Sequence, residues 1–330
     1  MAASGPRAGI EPRARPSSGP DLVRVLIAFS ALTASATSAS AQADTLLQHI
    51  ALDEVVISAQ AVGFDVEAFV KRVRTDTTFH KAFLHTRYHP HVVRSEARVR
   101  RQDEREMATL HRRAHLLRDG KNAALVIDSV AEAGRLRDRK GRFRYLTIEM
   151  YDDVFFPKGS FPADNTVAGR ELDVQRGSRI EKYKGELKKF MFDPGTEIAS
   201  VPMIGRKLAL FSPEMAPLYD FRIWADERGG RPCWVFSAAA KPEHREGRTV
   251  IKTMDTWFDQ ETNDVLARSY RIAHSALFLD FDITISVRNI RIGEALVPVR
   301  VQYDGDWDIP FEQRELVRFW LEYTDWRPVP

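Results

Sequence analysis

The sequence predicts a mainly β, α+β fold: a large curved antiparallel sheet or half-barrel with a few helices packed on its concave face. Three observations carry that expectation. Near the C-terminus Leu277, Leu279, Phe281, Ile283, Ile285 and Val287 alternate with polar neighbours, the period of a half-buried strand. The alternation resumes after Gly293 in Ala295, Val297, Val299, Val301 and Tyr303, and again in Val317, Phe319, Leu321 and Tyr323. Helical periodicity is confined to a few short stretches.

At the N-terminus, Arg24 precedes an apolar run from Val25 to Leu32, and Ala41 and Ala43 stand at the −3/−1 spacing of a signal-peptidase site. Residues 1–43 are therefore expected to be a signal peptide, with a mature chain beginning at Asp44. Residues 1–20, rich in Pro, Gly, Ala and Arg, make an unusually long preface, and a misassigned translation start is the expected reason. Removing 1–43 lowers the net charge from +3 to about +1, so the basic pI does not point to an acidic partner. The expected location is the periplasm or the periplasmic face of the outer membrane.

Residues 44–63 are expected to form an N-terminal tail or edge strand, and 64–330 a single β-rich domain. Asp65 is placed to cap a helix whose Val66, Phe69, Val70 and Val73 share a face. Four strands follow, at Val92–Arg100, Ala108–Leu117, Leu125–Ala131 and Phe143–Met150, separated by Gly-containing polar turns. Ser178-Arg179-Ile180-Glu181 has capping-box spacing ahead of a helix ending at Pro194-Gly195, and another helix is expected from Ser212. Strands at Phe221–Asp226 and Cys233–Ala238 flank Gly229-Gly230, and a polar turn at Asp259–Asp264 separates Val250–Phe258 from Val265–His274.

With Cys233 as its only cysteine the chain forms no internal disulfide, and no segment of 44–330 has the roughly 18 uninterrupted apolar residues of a membrane helix. His111 and His115 suggest a metal pair only on a helix; on a strand they lie about 13 Å apart. Asp304, Asp306, Asp308 and Glu315 echo a calcium loop, but Ile309 and Pro310 occupy positions where the loop needs glycine and a free turn. No metal and no cofactor is expected. Cys233 sits in an apolar strand, Gly-x-Ser-x-Gly is missing, and the arginines at 94–113 are interleaved with carboxylates. These features favour a non-enzyme that does not bind nucleic acid; His274, Asp280 or Asp304 would matter only if they met in a cleft.

Leu52-Asp53-Glu54-Val55-Val56-Ile57-Ser58-Ala59 resembles the segment near the start of TonB-dependent outer-membrane receptors and at the end of carboxypeptidase-regulatory-like modules. That resemblance implies docking of an envelope partner by strand addition through Asp53, Glu54, Val55 and Val56. Asp76–Phe83, Tyr151–Phe161 and Tyr303-Asp304-Gly305 resemble a family of exported bacterial envelope proteins of uncharacterised activity. The element order is also similar to LolA-like half-barrels of periplasmic lipoprotein carriers. An acyl chain or other apolar ligand is the implied cargo, with Phe190, Met191, Phe211, Met215 and Leu218 as its expected lining.

Overall fold

The computed structural model describes residues 46, 50–61, 63–165, 194–197, 204–276, 279–308 and 314–329, all within the unit Ala43–Pro330. The fold is the mainly β class expected: the described residues form twelve strands in one curved, unclosed sheet. They are β1 (Ile50–Leu52), β2 (Val92–Arg100), β3 (Glu106–Asp119), β4 (Asn122–Gly134), β5 (Ser160–Pro162), β6 (Tyr219–Arg228) and β7 (Arg231–Ala240), then β8 (Ile251–Asp259), β9 (Val265–Ala276), β10 (Leu279–Ile292), β11 (Ala295–Asp308) and β12 (Glu315–Thr324). Their order across the sheet is β1-β6-β7-β8-β9-β10-β11-β12-β2-β3-β4-β5. Neighbours are antiparallel except β1, which lies parallel to β6.

The long meander follows from turn chemistry and alternation. Gly229 and Gly230 both take positive φ, 60° and 77°, which a two-residue hairpin loop between β6 and β7 requires. Phe281, Ile283, Ile285 and Val287 of β10 are buried, while Asp282 on the opposite face pairs with Arg271 of β9. The same split holds on β12, whose Val317, Phe319, Leu321 and Tyr323 are buried. β12 then pairs with β2, Leu316–Thr324 running against Val92–Arg100. The early and late strands therefore form one sheet.

Helices cover the concave face: α1 (Glu54–Ala61), α2 (Val66–Thr75), α3 (Thr78–His85) and α4 (Leu146–Phe155). α2 forms as expected, with the Asp65 carboxylate accepting from Ala68 N at 2.9 Å and Val66, Phe69, Val70 and Val73 buried. One expected strand is corrected, and the segment expected as a tail or edge strand is a strand only in part. The strand stops at Leu52, and residues 54–61 are helical, because Asp53 Oδ1 accepts from Val56 N at 2.9 Å and starts a helical turn. Phe143 makes an isolated bridge with Arg137, after which residues 146–155 are helical rather than extended.

The reason for that correction lies far away in sequence. The Glu315 carboxylate, 6% exposed, accepts from Leu146 N at 2.6 Å and Thr147 N at 2.9 Å, so it caps α4 from the start of β12. The helix expected from Ser212 is a series of turns ending in a 3-10 turn at Ala216–Leu218, with Ser212 Oγ accepting from Met215 N. The helix expected at 178–191 lies outside the described residues.

Glu315→Ala leaves the half-buried Leu146 N–H and the buried Thr147 N–H of α4 without their acceptor and is expected to lower stability by about 1–2 kcal/mol. Urea unfolding followed by circular dichroism measures it. Glu315→Gln, which keeps one carbonyl acceptor, is expected to lose roughly half as much.

Candidate functional site

The site stands where the sheet ends. Leu110, Arg112, Ala114 and Leu116 of β3 point to the concave side, all of them buried. Cross-strand partners share a face, so Glu132, Val130, Ile127 and Leu125 of β4, which register with them in that order, point the same way. The register shifts between Arg113 and Ala114, and Asp128 is the extra residue on β4. That bulge brings Ile127 and Val130 onto one face despite their three-residue separation. A strictly alternating strand would turn one of them outward.

β5 pairs only with Asn122–Ala124, and the remainder of β4 has no second strand partner among the described residues. Ile127 is consequently 44% exposed and Val130 51% exposed, although both lie on the face that elsewhere forms the core. They form a short stretch of open apolar surface on the concave face. Sequence reasoning placed a strand here but missed the site, because the signal is a bulge.

Beside this row lies a cleft of about 840 Å³, lined by Arg137, Phe143, Arg144, Glu149, Asp152 and Lys158 among others. Arg112, the cross-strand partner of Val130, connects to the cleft through Asp152. Its guanidinium meets Asp152 Oδ1 at 2.6 Å and lies 4.4 Å from the centre of the Phe156 ring, with both charged side chains almost fully buried. Lys158, largely exposed, approaches the second oxygen of Asp152 at 3.2 Å. Arg137 binds both oxygens of Glu132 at 2.7–3.0 Å and covers the Phe143 ring at 4.1 Å. The Glu132 carboxylate holds the Arg137 guanidinium above its usual pKa. The lining contributes four basic and four acidic side chains, so it is polar without favouring either sign of charge.

The apolar lining expected from sequence is elsewhere. Phe211 is half-buried between the rings of Phe221 and Phe236, at 6.2 and 5.8 Å, and Met215 and Leu218 are buried in the same core cluster. Phe190 and Met191 lie outside the described residues. Of the expected docking segment, Asp53 caps α1, the Glu54–Val55 backbone is helical, and Val56 is fully buried. As a helix, residues 54–56 present no extended edge for strand addition; that edge role falls to Ile50–Leu52, already paired with β6.

The polar candidates are dispersed. His111 faces Glu96 and His115 bonds Asp128 at 2.6 Å, two separate carboxylate partners on the convex face. Asp304 and Asp306 are held by Arg318 and Arg314, and Glu315 caps α4. His274 registers with buried Phe281 and so points inward, whereas Asp280 and Asp304 take the opposite face, so the three do not converge. Burial pushes the Cys233 thiol up to about 11, which keeps it protonated at neutral pH. No three or more His, Cys, Asp or Glu side chains converge so as to hold a metal ion among the described residues, and none of their helices is long and apolar enough to cross a membrane.

No family model and no curated protein sequence matches the chain. Solved structures similar to it include a DUF1329 family protein from Desulfovibrio piger, with 11% identity over 78% of this chain and 89% of that one, at a TM-score of 0.25. Another is a domain assigned to outer membrane lipoprotein sorting from Vibrio parahaemolyticus, with 9% identity, 79% and 89% coverage, and a TM-score of 0.26. Superpositions this loose leave the functional reading to the chain's own geometry.

Arg112→Met leaves the buried Asp152 carboxylate with an exposed lysine as its salt-bridge partner, and is expected to lower stability by about 3 kcal/mol. Arg112→Met combined with Asp152→Leu removes both charges and is expected to recover most of that loss. Chemical denaturation of the three proteins gives the comparison.

Proposed function

We propose that this chain is an exported, non-enzymatic binding module of the bacterial cell envelope that holds a lipid or other apolar ligand at the open end of its sheet. Support comes first from the leader-like residues 1–43, which direct such a module to the periplasm or the periplasmic face of the outer membrane. The observation that carries the reading is the exposed Ile127–Val130 row on the concave face. An acyl chain laid along Leu125, Ile127 and Val130 loses contact with water, and its polar end reaches the cleft at Arg137, Arg144 and Lys158. The balanced lining suits a ligand whose head group is polar, and the scale of the cleft suits a small head group.

The energetics fix the size of the effect. Covering the exposed halves of two aliphatic side chains contributes about 2 kcal/mol at ~25 cal/mol per Å², or roughly thirtyfold in affinity. Ile127→Glu/Val130→Glu is therefore expected to weaken binding of an environment-sensitive fluorescent fatty acid by on the order of thirtyfold or more. Both positions are half-exposed, so folding tolerates the change. Leu117→Glu, 53% exposed on the convex face, is the control and is expected to bind as wild type. Equal binding by the double variant, or an equal loss in the control, contradicts the reading.

A further inference from the structure

Three buried imidazoles meet where α3 runs into β2. His85, His89 and His91 are each no more than 4% exposed, and the rings of His85 and His89 stand 5.2 Å apart. Residues 325–329, beyond the end of β12, lie across them as a strap. Arg327 N donates to Pro90 O at 2.9 Å, Val329 N donates to His89 Nδ1 at 3.0 Å, and the Trp326 ring lies 4.3 Å from that of His91.

The hydrogen bonds assign the protons. A backbone carbonyl only accepts, so His85 Nδ1 donates to Leu296 O at 2.6 Å and His91 Nδ1 donates to His89 O at 2.9 Å. Both bonds survive protonation of the ring. A backbone N–H only donates, so the His89 Nδ1 that receives Val329 N carries a lone pair. Protonating that nitrogen turns the acceptor into a second donor and breaks the bond. His89 is thus the imidazole of the three whose observed bond depends on its charge.

We infer that residues 325–329 form an acid-released strap, latched by the neutral His89 ring and freed when that ring takes up a proton. The surroundings offer the proton no compensation. Facing His89 are His85 from α3, Tyr88 at 4.9 Å, Arg118 from β3 stacked on Tyr88, and His91; Lys81 acts on His85. Among the described residues no carboxylate acts on any of the three imidazoles. Burial first, then His85 and Arg118, lower the His89 pKa to about 4, and burial lowers that of His91 to about 4.

The sign follows. A latched His89 titrates near 4 and a freed one near ~6.5, so the latch is at full strength above ~6.5, weakens as pH falls through that window, and weakens no further below the latched value. Between about pH 7.5 and about pH 4.5 the opening equilibrium is expected to rise on the order of 50- to 100-fold. Release uncovers the Trp326, His91 and Tyr323 rings, next to Leu116, whose N–H donates to His91 O.

Hydrogen exchange at the Val329 amide in the full chain, corrected for intrinsic rates, reads the latch directly. Wild type is expected to lose that protection across this range while amides of β10 and β11 keep theirs. His89→Asn places an uncharged side-chain carbonyl near the Nδ1 position and is expected to abolish the pH dependence. Unchanged Val329 protection in wild type, loss shared equally with the sheet amides, or the same pH response in His89→Asn each overturn the inference. Should His89→Asn fold poorly, His89→Gln takes its place, and the wild-type comparison decides by itself.

Discussion

The pairing of β2 with β12 is the contact on which the rest of the structure depends. It joins strands from opposite ends of the described chain, Val93 against Tyr323 and Val99 against Val317, and makes one sheet of two sets of hairpins. β2 carries β3 and β4 outward to the open end, so the face on which Ile127 and Val130 lie is fixed by the β12 register. A slip of one residue would turn that row to the convex side. Glu315, which begins β12, caps α4. Phe319 of β12 packs at 4.8 Å against Tyr151 of α4, and Tyr303 stacks on it from β11. Sheet continuity and helix placement are therefore one event.

Two helices are docked by the same device. Arg112 of β3 reaches Asp152 of α4 and lies against Phe156; Arg268 of β9 reaches Asp76, just before α3, and lies 4.3 Å from the Phe79 ring. In each case an arginine on the concave face pairs with an acidic residue and an aromatic ring of one helical segment. Buried pairs of this kind return little net stability, because desolvation offsets most of the attraction. Their value is positional: an apolar contact tolerates sliding, whereas a guanidinium held by a carboxylate and a ring fixes where the helix sits.

Much of the fold was legible in local pattern. Alternation marked β10 to β12, paired glycines marked the β6–β7 turn, and Asp65 with four apolar residues marked α2. What escaped was decided at a distance or by a cap. α4 reads as a strand because Phe143–Met150 is rich in β-formers and its capping carboxylate belongs to residue 315. Residues 54–61, within a segment that reads as a tail or edge strand, include β-branched residues too, and Asp53 decides the outcome. The candidate site was harder still. An aromatic-rich central stretch suggested a lining, yet Phe211, Met215 and Leu218 are packed as core. The open apolar row depends on a bulge at Asp128 and on the shortness of β5, and neither leaves a periodic trace.

The cleft and the row together give the site its character: oriented charges hold the wall, and the floor is left uncovered. Both rest on the register that ties residue 94 to residue 322. Paired cysteines test that register most directly, on the convex face where substitution leaves the core intact. Arg94→Cys/Glu322→Cys brings two cysteines directly opposite each other and is expected to form a disulfide on mild oxidation. Arg94→Cys/Arg318→Cys, on the same face but four residues out of step, about 13 Å along the strand, is expected to stay reduced. No cross-link in the first pair, or equal cross-linking in both, would contradict the continuous sheet and the site built on it.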